Sequence, residues 1–268
     1  MSTILRTLML SVVALTALNG ATRGDDTATK ILLIGHKLDH PWGSHMYLHT
    51  HEMLSKCLRQ TKGVDTVISD RWPRDQAVLD GVKTIVVYSS PGAELLLDGP
   101  QGDEVDKVLR QGVGLTTIHW ASSIHKKNLD RLGERWIHYL GGTWVSNVGL
   151  STDRSPLKQL IPDHPVCRGW SQYELHDEFY LNPTISQAKP LLQVTTKGNK
   201  VIVGWVHERA DGGRAFGTTL GHYYRNFQID AFRRMIVNGI LWTAKVELPK
   251  DGAPIALSEK DLALPPKP

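Results

Sequence analysis

Short apolar segments alternate with helical patterns along the first half of this chain. A continuously apolar strand is typical of a parallel sheet that is covered by helices on both faces. Strands that alternate with helices form right-handed βαβ units, in which successive strands run in the same direction. The pattern therefore predicts an α/β fold with a mostly parallel, doubly wound sheet. The predicted strands span residues 31–36, 64–70, 84–90 and 112–118, and the predicted helices span 45–62, 74–79 and 104–112.

The second half of the chain is less regular. A helix is expected over Leu129–Trp144, with a break at Gly141-Gly142, and polar loop follows as far as Val166. Gly198-Asn199 is expected to form a hairpin turn between two strands. The remaining predicted elements are a strand or turn at 173–181, strands at 190–196, 201–208 and 212–222, and a closing helix at 231–244.

The predicted domain lies between two segments of different character. Residues 1–24 have an arginine near the start, an apolar run from Leu8 to Leu18 and then small residues, which is typical of a secretory signal peptide. That run is too short for a membrane span. We therefore expect export to the periplasm or the cell exterior, and no membrane span after signal removal. The predicted divisions are a signal peptide at 1–24, a linker at 25–29, a single domain at 30–246 and an extended, proline-containing surface tail at 247–268.

The composition is that of an ordinary soluble globular protein, with 41% hydrophobic and 22% charged residues. The predicted signal peptide contains Arg6, Arg23 and no acidic residue, so its removal lowers the net charge from +4 to +2. No Lys/Arg cluster alternates with aromatic residues, which argues against a nucleic-acid partner. Cys57 and Cys167 have no metal-type spacing and are expected in the core, although an exported protein could also pair them.

Polar residues follow several of the predicted strands directly. In an open α/β sheet, binding and catalytic residues collect where the carboxyl ends of the strands meet. His119 follows the buried strand 112–118 and is the central candidate. We expect it to share one polar cleft with the residues at the other strand ends, which are His36, His40, Asp177, Glu178, His207 and His222.

The strand before His119 does not end in a nucleophile. Ser122 and Ser123 come too late to occupy its tip, which disfavours a hydrolase with a covalent intermediate. A histidine in this place suits a general base, an oxyanion partner or a metal ligand. Asp177 and Glu178 are adjacent and repel each other, so at least one should gain a cation, a metal ion or a raised pKa.

Histidines also suggest a metal site, for which two ligand sets remain open. One is a pair, His45 and His49, which would share a helix face at a spacing of four residues. The other would hold a divalent ion such as zinc and consists of His36, His119, Glu178 and His222.

Aromatic residues near the strand ends suggest a sugar site. Tryptophans beside carboxylates and histidines are common where a protein binds carbohydrate, although core packing is always the competing interpretation. Trp205 also lies near a predicted strand end. The candidate substrate-binding residues are His36, Trp42, Trp120, His207 and His222.

Six stretches of the chain carry a family resemblance, in the family's order. They are GVGLTTIHWA (112–121), LGGTW (140–144), DHPV (163–166), HDEFY (176–180), GRAFGTTLGH (213–222) and FRRMIVNGILW (232–242). With them the chain resembles the ThuA-like trehalose-utilisation family, whose fold is similar to class I glutamine amidotransferases. The resemblance implies a flavodoxin-like sheet without the amidotransferase cysteine. It also implies a role near sugar metabolism, on oxidised 3-keto-glycosides.

The residues and the resemblance together suggest a carbohydrate-active enzyme with a small-molecule substrate. His119 and Glu178 would be a proton-transfer pair or metal ligands, and Asp177 would orient a histidine or bind hydroxyls. A 3-keto group acidifies the neighbouring C–H, so a modest base could start elimination or isomerisation; hydrolysis is a further option. The alternative hypothesis is a non-catalytic sugar-binding protein, in which the same groups only hydrogen-bond to hydroxyls.

Overall fold

The computed structural model describes residues 28–267, so the predicted signal peptide lies outside the described residues. The strands are β1 Thr29–Ile34, β2 Val64–Ser69, β3 Val82–Tyr88, β4 Gly114–Ile118, β5 Ser123–Ile124, β6 Gly142–Val145, β7 Leu150–Gln159, β8 Tyr173–Tyr180, β9 Thr184–Ile185, β10 Lys189–Thr196, β11 Asn199–Glu208 and β12 Arg214–Thr218. The helices are α1 Tyr47–Leu58, α2 Gln76–Leu79, α3 Gly92–Leu97, α4 Gly102–Arg110, α5 Leu129–Leu140, α6 Tyr224–Phe227, α7 Asp230–Thr243 and α8 Glu259–Leu262. Among these described elements, no helix has both the length and the apolar character that crossing a bilayer requires.

A nine-stranded sheet forms the centre of the fold, in the order β2-β1-β3-β4-β12-β11-β10-β7-β8. The first five strands of that order pair in parallel. Their order matches the flavodoxin-like arrangement, in which the crevice for ligands lies at the carboxyl ends of the strands. The predicted α/β fold is confirmed.

The other four strands of the sheet run antiparallel to their neighbours. One of them, β7, lies where polar loop was predicted, and that prediction was wrong. Its inward positions include Ser151 and Ser155, whose hydroxyls bond to Thr196 and to the backbone of Thr195. Because these buried positions carry hydroxyls, the alternation of apolar and polar residues that marks a strand is hidden in the sequence.

Both faces of the inner parallel strands β1, β3, β4 and β12 are largely buried, as the apolar segments predicted. In β1, Ile31 and Leu33 pack into one core, while Leu32 and Ile34 pack into the other. The first core includes α1 and α7, and the second includes α3, α4 and α5. Cys57 and Cys167 are both free and buried, in the first core.

Two predicted boundaries shift because of backbone conformation. Gly141 has a left-handed φ of 81°, which ends α5 at Leu140, so the following residues form β6 and not helix. The hairpin turn consists of Lys197 and Gly198, with φ of 49° and 77°, as in a type I′ turn. Asn199 is therefore the first residue of β11 and pairs with Thr196.

The C-terminal tail is more closely packed than predicted. Leu248, Ala253 and Ile255 are buried, so the expectation of a surface segment was wrong for this part. The backbone N–H of Ala253 donates to Asn238 Oδ1, and the Arg233 guanidinium donates to the carbonyl of Ile255. The tail therefore covers α7 and completes the first core.

We predict that Gly239→Ala in α7 destabilises the fold by about 1–3 kcal/mol, because overpacking a tight contact has that cost. The added Cβ would overlap the buried ring of Phe216 in β12. Gly133→Ala in α5 is the control, since its Cβ would meet only the movable end of Leu129. Urea unfolding should show the control unchanged, or more stable by up to about 1 kcal/mol. Equal stability of the two variants would contradict this account of the packing.

Candidate functional site

The loops that follow β1 and β12 are joined by backbone hydrogen bonds. Ser44 and Tyr223 form an isolated antiparallel bridge, and the N–H of His45 donates to the carbonyl of His222 at 3.0 Å. These loops lie at the carboxyl ends of the parallel strands, where His119 follows β4 directly. The joint therefore brings three histidines from distant parts of the chain to one place.

Four side-chain atoms of types that can bind a metal ion lie close together here. His222 Nδ1 lies 3.1 Å from His45 Nε2 and 3.2 Å from His119 Nε2. Glu178 Oε2, from β8, lies 3.6 Å from His119 Nε2 and 3.5 Å from His222 Nδ1. We call His45, His119 and His222 the histidine cluster; Glu178 lies at its edge.

Two members of the cluster have a strained backbone. His45 and His119 have φ of 49° and 56°, in the left-handed region that side chains with a Cβ rarely adopt. Such strain costs on the order of 1–3 kcal/mol per residue and persists only where the surroundings impose it. Residues held in this way often belong to functional sites, and here the strain affects two histidines whose side chains meet.

Hydrogen bonds outside the cluster fix the tautomers of these two histidines. His119 Nδ1 lies 2.8 Å from the carbonyl of Thr219, to which it must donate. His45 Nδ1 lies 3.2 Å from Asp39 Oδ1 and 2.7 Å from the hydroxyl of Tyr47, which itself donates to Asp39. In both rings Nδ1 therefore carries the proton, and the lone pair on Nε2 faces the cluster.

The electrostatic environment keeps the cluster neutral. Burial lowers the pKa of His119 well below its usual value, and the neighbouring histidines lower it further. Burial also lowers the pKa of His45, and it lowers that of His222 to about 3. Burial raises the pKa of Glu178. Neutral imidazoles are the form that binds metal ions.

Tyr180 completes the inner wall of the site. Its hydroxyl lies 3.0 Å from His119 Nε2, and its ring stacks on Trp144 at 3.9 Å. Burial raises the pKa of Tyr180 well above its usual value, so the hydroxyl keeps its proton and acts as a donor. Glu178 and Tyr180 are two residues apart in β8, which places both side chains on the same face of that strand.

Asp177 lies behind the cluster and not in the cleft. Its carboxylate accepts the backbone N–H groups of Gly221 at 2.7 Å, of His222 at 3.1 Å and of Glu178 at 3.0 Å. Asp177 is fully buried, and this burial raises its pKa to about 7. The carboxylate positions the backbone of His222, and the hydroxyls of a ligand cannot reach it.

The structure places two sequence-predicted residues away from the cleft. His207 lies near the end of β11, which is antiparallel to β12. It therefore lies at the amino ends of the parallel strands, where it contacts the carbonyl of His138. The prediction that His207 shares the cleft was therefore wrong. Trp205 is buried in the second core, where its indole donates to the carbonyl of Leu140, so it offers no surface to a sugar.

The remaining candidates lie around the cluster. The His40 ring lies 3.6 Å from the His45 ring and 5.6 Å from that of Trp120, and these residues form one rim. His36 and Trp42 line a separate, small cavity of about 220 Å³ that His45 also borders. His36 is therefore not part of the cluster. The loop after β1 leads away from the cluster at His36 and comes back to it at His45.

His45 has other partners than His49, with which the sequence pattern pairs it, and Asp39 and Tyr180 are site residues that were not predicted. Helix α1 begins only at Tyr47, so His45 lies outside the helix and does not share a helix face with His49. His49 instead packs against the Tyr224 ring at 4.9 Å. Tyr180 could have been found from its spacing of two from Glu178 in a strand.

We predict that Asp177→Asn lowers the free energy of unfolding by about 1–3 kcal/mol, because a buried N–H group loses its acceptor. Asparagine has one acceptor oxygen, and its NH₂ group would face a backbone donor. Glu174→Gln is the control, as an exposed residue of the same strand, and should change stability by less than about 0.5 kcal/mol. Chemical denaturation measures both, and an unchanged Asp177→Asn protein would show that the carboxylate does not hold the loop.

Comparison with known proteins supports the fold and shows the family. A family model described as ThuA, trehalose utilisation, matches residues 32–243. Similar solved structures include a ThuA-like protein from Bacteroides uniformis, with 14% identity over 85% of this chain and 95% of that chain, at a TM-score of 0.61. They also include a cytoplasmic protein from Salmonella typhimurium, with 15% identity over 80% of this chain and 98% of that chain, at a TM-score of 0.57.

A glutamine amidotransferase from Thermotoga maritima also aligns, with 12% identity over 81% of this chain and 96% of that chain, at a TM-score of 0.46. No curated protein matches the sequence significantly. The family match covers most of the chain and confirms the resemblance seen in the sequence motifs. The chain therefore belongs to the ThuA family.

Proposed function

We propose that this chain is a carbohydrate-active enzyme that depends on a divalent metal ion, such as zinc, held by His45, His119 and His222. The observation that carries the proposal is the spacing of three ring nitrogens. His222 Nδ1 lies 3.1 Å from His45 Nε2 and 3.2 Å from His119 Nε2, and all three atoms lie within 4.8 Å of one another. Zinc binds histidine nitrogen at about 2.0–2.1 Å, so two ligands of a tetrahedral ion lie about 3.3 Å apart. The two spacings at His222 match the edge of such a shell.

The surroundings of the ligands support the same interpretation. Metal-binding histidines commonly donate their second N–H to a carboxylate or a backbone carbonyl. The contacts of His45 with Asp39 and of His119 with the Thr219 carbonyl follow this pattern. Hydrogen bonds from His45 and His40 lower the pKa of Asp39 to about 2, in spite of the opposing effect of burial. The carboxylate therefore stays charged and favours a cation at the far side of the ring.

Glu178 is the best candidate for proton transfer. It is one of the more exposed members of the site, with 16% of its side chain accessible, whereas His119 has none. His119 also has no free nitrogen, since Nδ1 donates to Thr219 and Nε2 faces the cluster. We therefore assign His119 as a ligand and Glu178 as the acid/base group, whose raised pKa suits both directions of transfer.

The chemistry follows from this division of roles. The metal ion would supply Lewis acidity toward a carbonyl or hydroxyl oxygen of the substrate. Glu178 would take the proton from the carbon next to that carbonyl. In elimination, a C=C bond would form as the bond to the leaving oxygen breaks, and Glu178 would return the proton to that oxygen. In isomerisation, Glu178 would return the proton to the former carbonyl carbon, while the proton of the neighbouring hydroxyl passes to the former carbonyl oxygen. With His119 Nε2 engaged as a ligand, the Tyr180 hydroxyl would no longer donate to that nitrogen and could donate a hydrogen bond to substrate oxygen. These steps give elimination or isomerisation, and neither requires a nucleophile.

The substrate class is inferred from the family and from the aromatic residue at the rim of the site. The family is described as trehalose utilisation, and a sugar or 3-keto-glycoside has the carbonyl and hydroxyl groups that this site would bind. The ring of Trp120 lies 5.9 Å from that of His45 and offers an aromatic surface beside the cluster. We further propose that the protein is exported, on the strength of the signal-like pattern in residues 1–24.

We predict that the purified protein holds about one divalent ion per chain and that His119→Ala releases it. Glu178→Gln should keep the ion but reduce turnover of a 3-keto-glycoside by at least about 100-fold, the usual scale for loss of an acid/base group. His49→Ala is the control, and it should retain both the ion and the activity. Elemental analysis and a panel of 3-keto-glycosides measure these effects.

Either of two results would contradict the proposal. One is a wild-type protein that binds no ion after dialysis against zinc, manganese and nickel in turn. The other is full turnover by Glu178→Gln. Sugar binding without turnover by any variant would favour the non-catalytic binding protein.

We predict that metal binding survives mild acid. Histidines with the ordinary pKa of about 6.5 would each lose about tenfold in metal affinity at pH 5.5, or about a thousandfold for three. The pKa values here are lowered, to about 3 for His222, so protons begin to compete only at lower pH. The dissociation constant for zinc should therefore change by less than about tenfold between pH 7.5 and 5.5. A rise in that dissociation constant of about a thousandfold would show that the histidines titrate with their ordinary pKa.

A further inference from the structure

Arg225 lies at the rim of the site, where Tyr223 and His176 hold its guanidinium. It belongs to the short helix α6, three residues after His222. Its guanidinium carbon lies 3.9 Å from the centre of the Tyr223 ring, and Nη2 donates to His176 Nδ1. The His176 ring also lies nearly parallel to the Tyr223 ring, with the two ring centres 5.6 Å apart. Stacking and a hydrogen bond therefore restrain an exposed arginine.

The guanidinium is close to the histidine cluster. The His222 ring lies 4.5 Å from the Tyr223 ring, so it cannot be farther from the Arg225 guanidinium than the two distances to Tyr223 added together. The arginine is therefore near enough to the cluster for its charge to act on a ligand bound there.

The strand that carries Glu178 leads toward this arginine. His176 and Glu178 are two residues apart in β8 and share a face. In the neighbouring strand β7, Arg154 pairs with His176 and Thr152 pairs with Glu178. Residues directly opposite each other share a face, so Arg154 adds a second cation on the same side.

Neither arginine has an acidic partner within ion-pair distance among residues 28–267. Other surface arginines of the chain, such as Arg71 and Arg131, are paired with aspartates. The acidic residue next to Arg154, Asp153, points to the opposite face of β7 and accepts the hydroxyl of Thr196. Two cations beside the cleft are thus free to bind an anion.

We propose that Arg225, assisted by Arg154, binds an anionic group of the substrate, a carboxylate or a phosphate, so that the substrate is an acidic sugar. The inference rests on the proposed function, because it assumes that the sugar occupies the cleft at the histidine cluster. Arginine presents a planar set of donors that matches the oxygens of either anion. Since Nη2 is engaged with His176, the remaining edge of the guanidinium binds the anion.

The test compares acidic and neutral sugars on the zinc-treated full-length mature protein by isothermal titration calorimetry. The probes are glucuronate, glucose 6-phosphate and glucose. We expect one of the anionic probes to bind at least about tenfold tighter than glucose, the scale of one charge-assisted hydrogen bond. Arg225→Gln should remove that preference and Arg225→Lys should keep part of it, with glucose binding unchanged in both. A preference for glucuronate identifies a carboxylate, and a preference for glucose 6-phosphate identifies a phosphate.

Arg110→Gln is the matched control. Arg110 is an exposed arginine at the end of α4, on the side of the sheet where the parallel strands have their amino ends. It should leave every affinity unchanged. Equal binding of acidic and neutral probes, no binding of either anion, or a preference that survives in Arg225→Gln would overturn the inference. Metal content is measured on the same samples. A protein that binds zinc but shows no anion preference refutes the inference alone, whereas a protein without zinc refutes the proposed function.

Discussion

The site depends on one buried carboxylate, that of Asp177, which joins the two halves of the sheet. In hydrogen-bonding order β8 is the far edge strand, four strands away from β12. Nevertheless Asp177 in β8 accepts N–H groups from Gly221 and His222, which follow β12. The antiparallel half must therefore curl back over the carboxyl end of the parallel strands. This curl brings Glu178 and Tyr180 to histidines that the parallel strands alone would leave exposed.

The two halves make different contributions to this arrangement. The parallel half is a rigid platform, with both faces buried, and it fixes where His119 and His222 emerge. The loop after β1 adds His45 only because it is bonded to the loop after β12. The backbone strain at His45 and His119 is the free-energy cost of pointing both rings inward. A metal ion that binds the folded site alone would offset this cost through its binding free energy.

The sequence predicted those parts of the fold that depend on local pattern. Continuous apolar segments gave the parallel strands, and the strand ends located His119 and His222. The sequence did not predict the direction of each strand, because an apolar segment such as 201–208 has the same pattern in a parallel and an antiparallel strand. His207 was therefore assigned to the wrong edge of the sheet. Strand β7 escaped notice because its buried positions carry serines that bond across the sheet.

The sequence predicted which types of residue form the site, but not which individual residues belong to it. A site rich in histidine and carboxylate followed from the residue types at the strand ends. His45 belongs to the site and His36 does not. This difference depends on the left-handed backbone of His45 just before α1, and no periodic pattern in the sequence reveals that conformation. Asp177 and Glu178 are adjacent in sequence and have separate tasks, because successive strand residues point to opposite faces. One holds the backbone of the loop, and the other faces the cleft.

The most direct test of the central claim is anomalous diffraction at the zinc edge from crystals of the zinc-loaded protein. The account predicts one strong peak within about 2.0–2.2 Å of His45 Nε2, His119 Nε2 and His222 Nδ1. A peak elsewhere, or none at this cluster although zinc is bound in solution, would contradict the account.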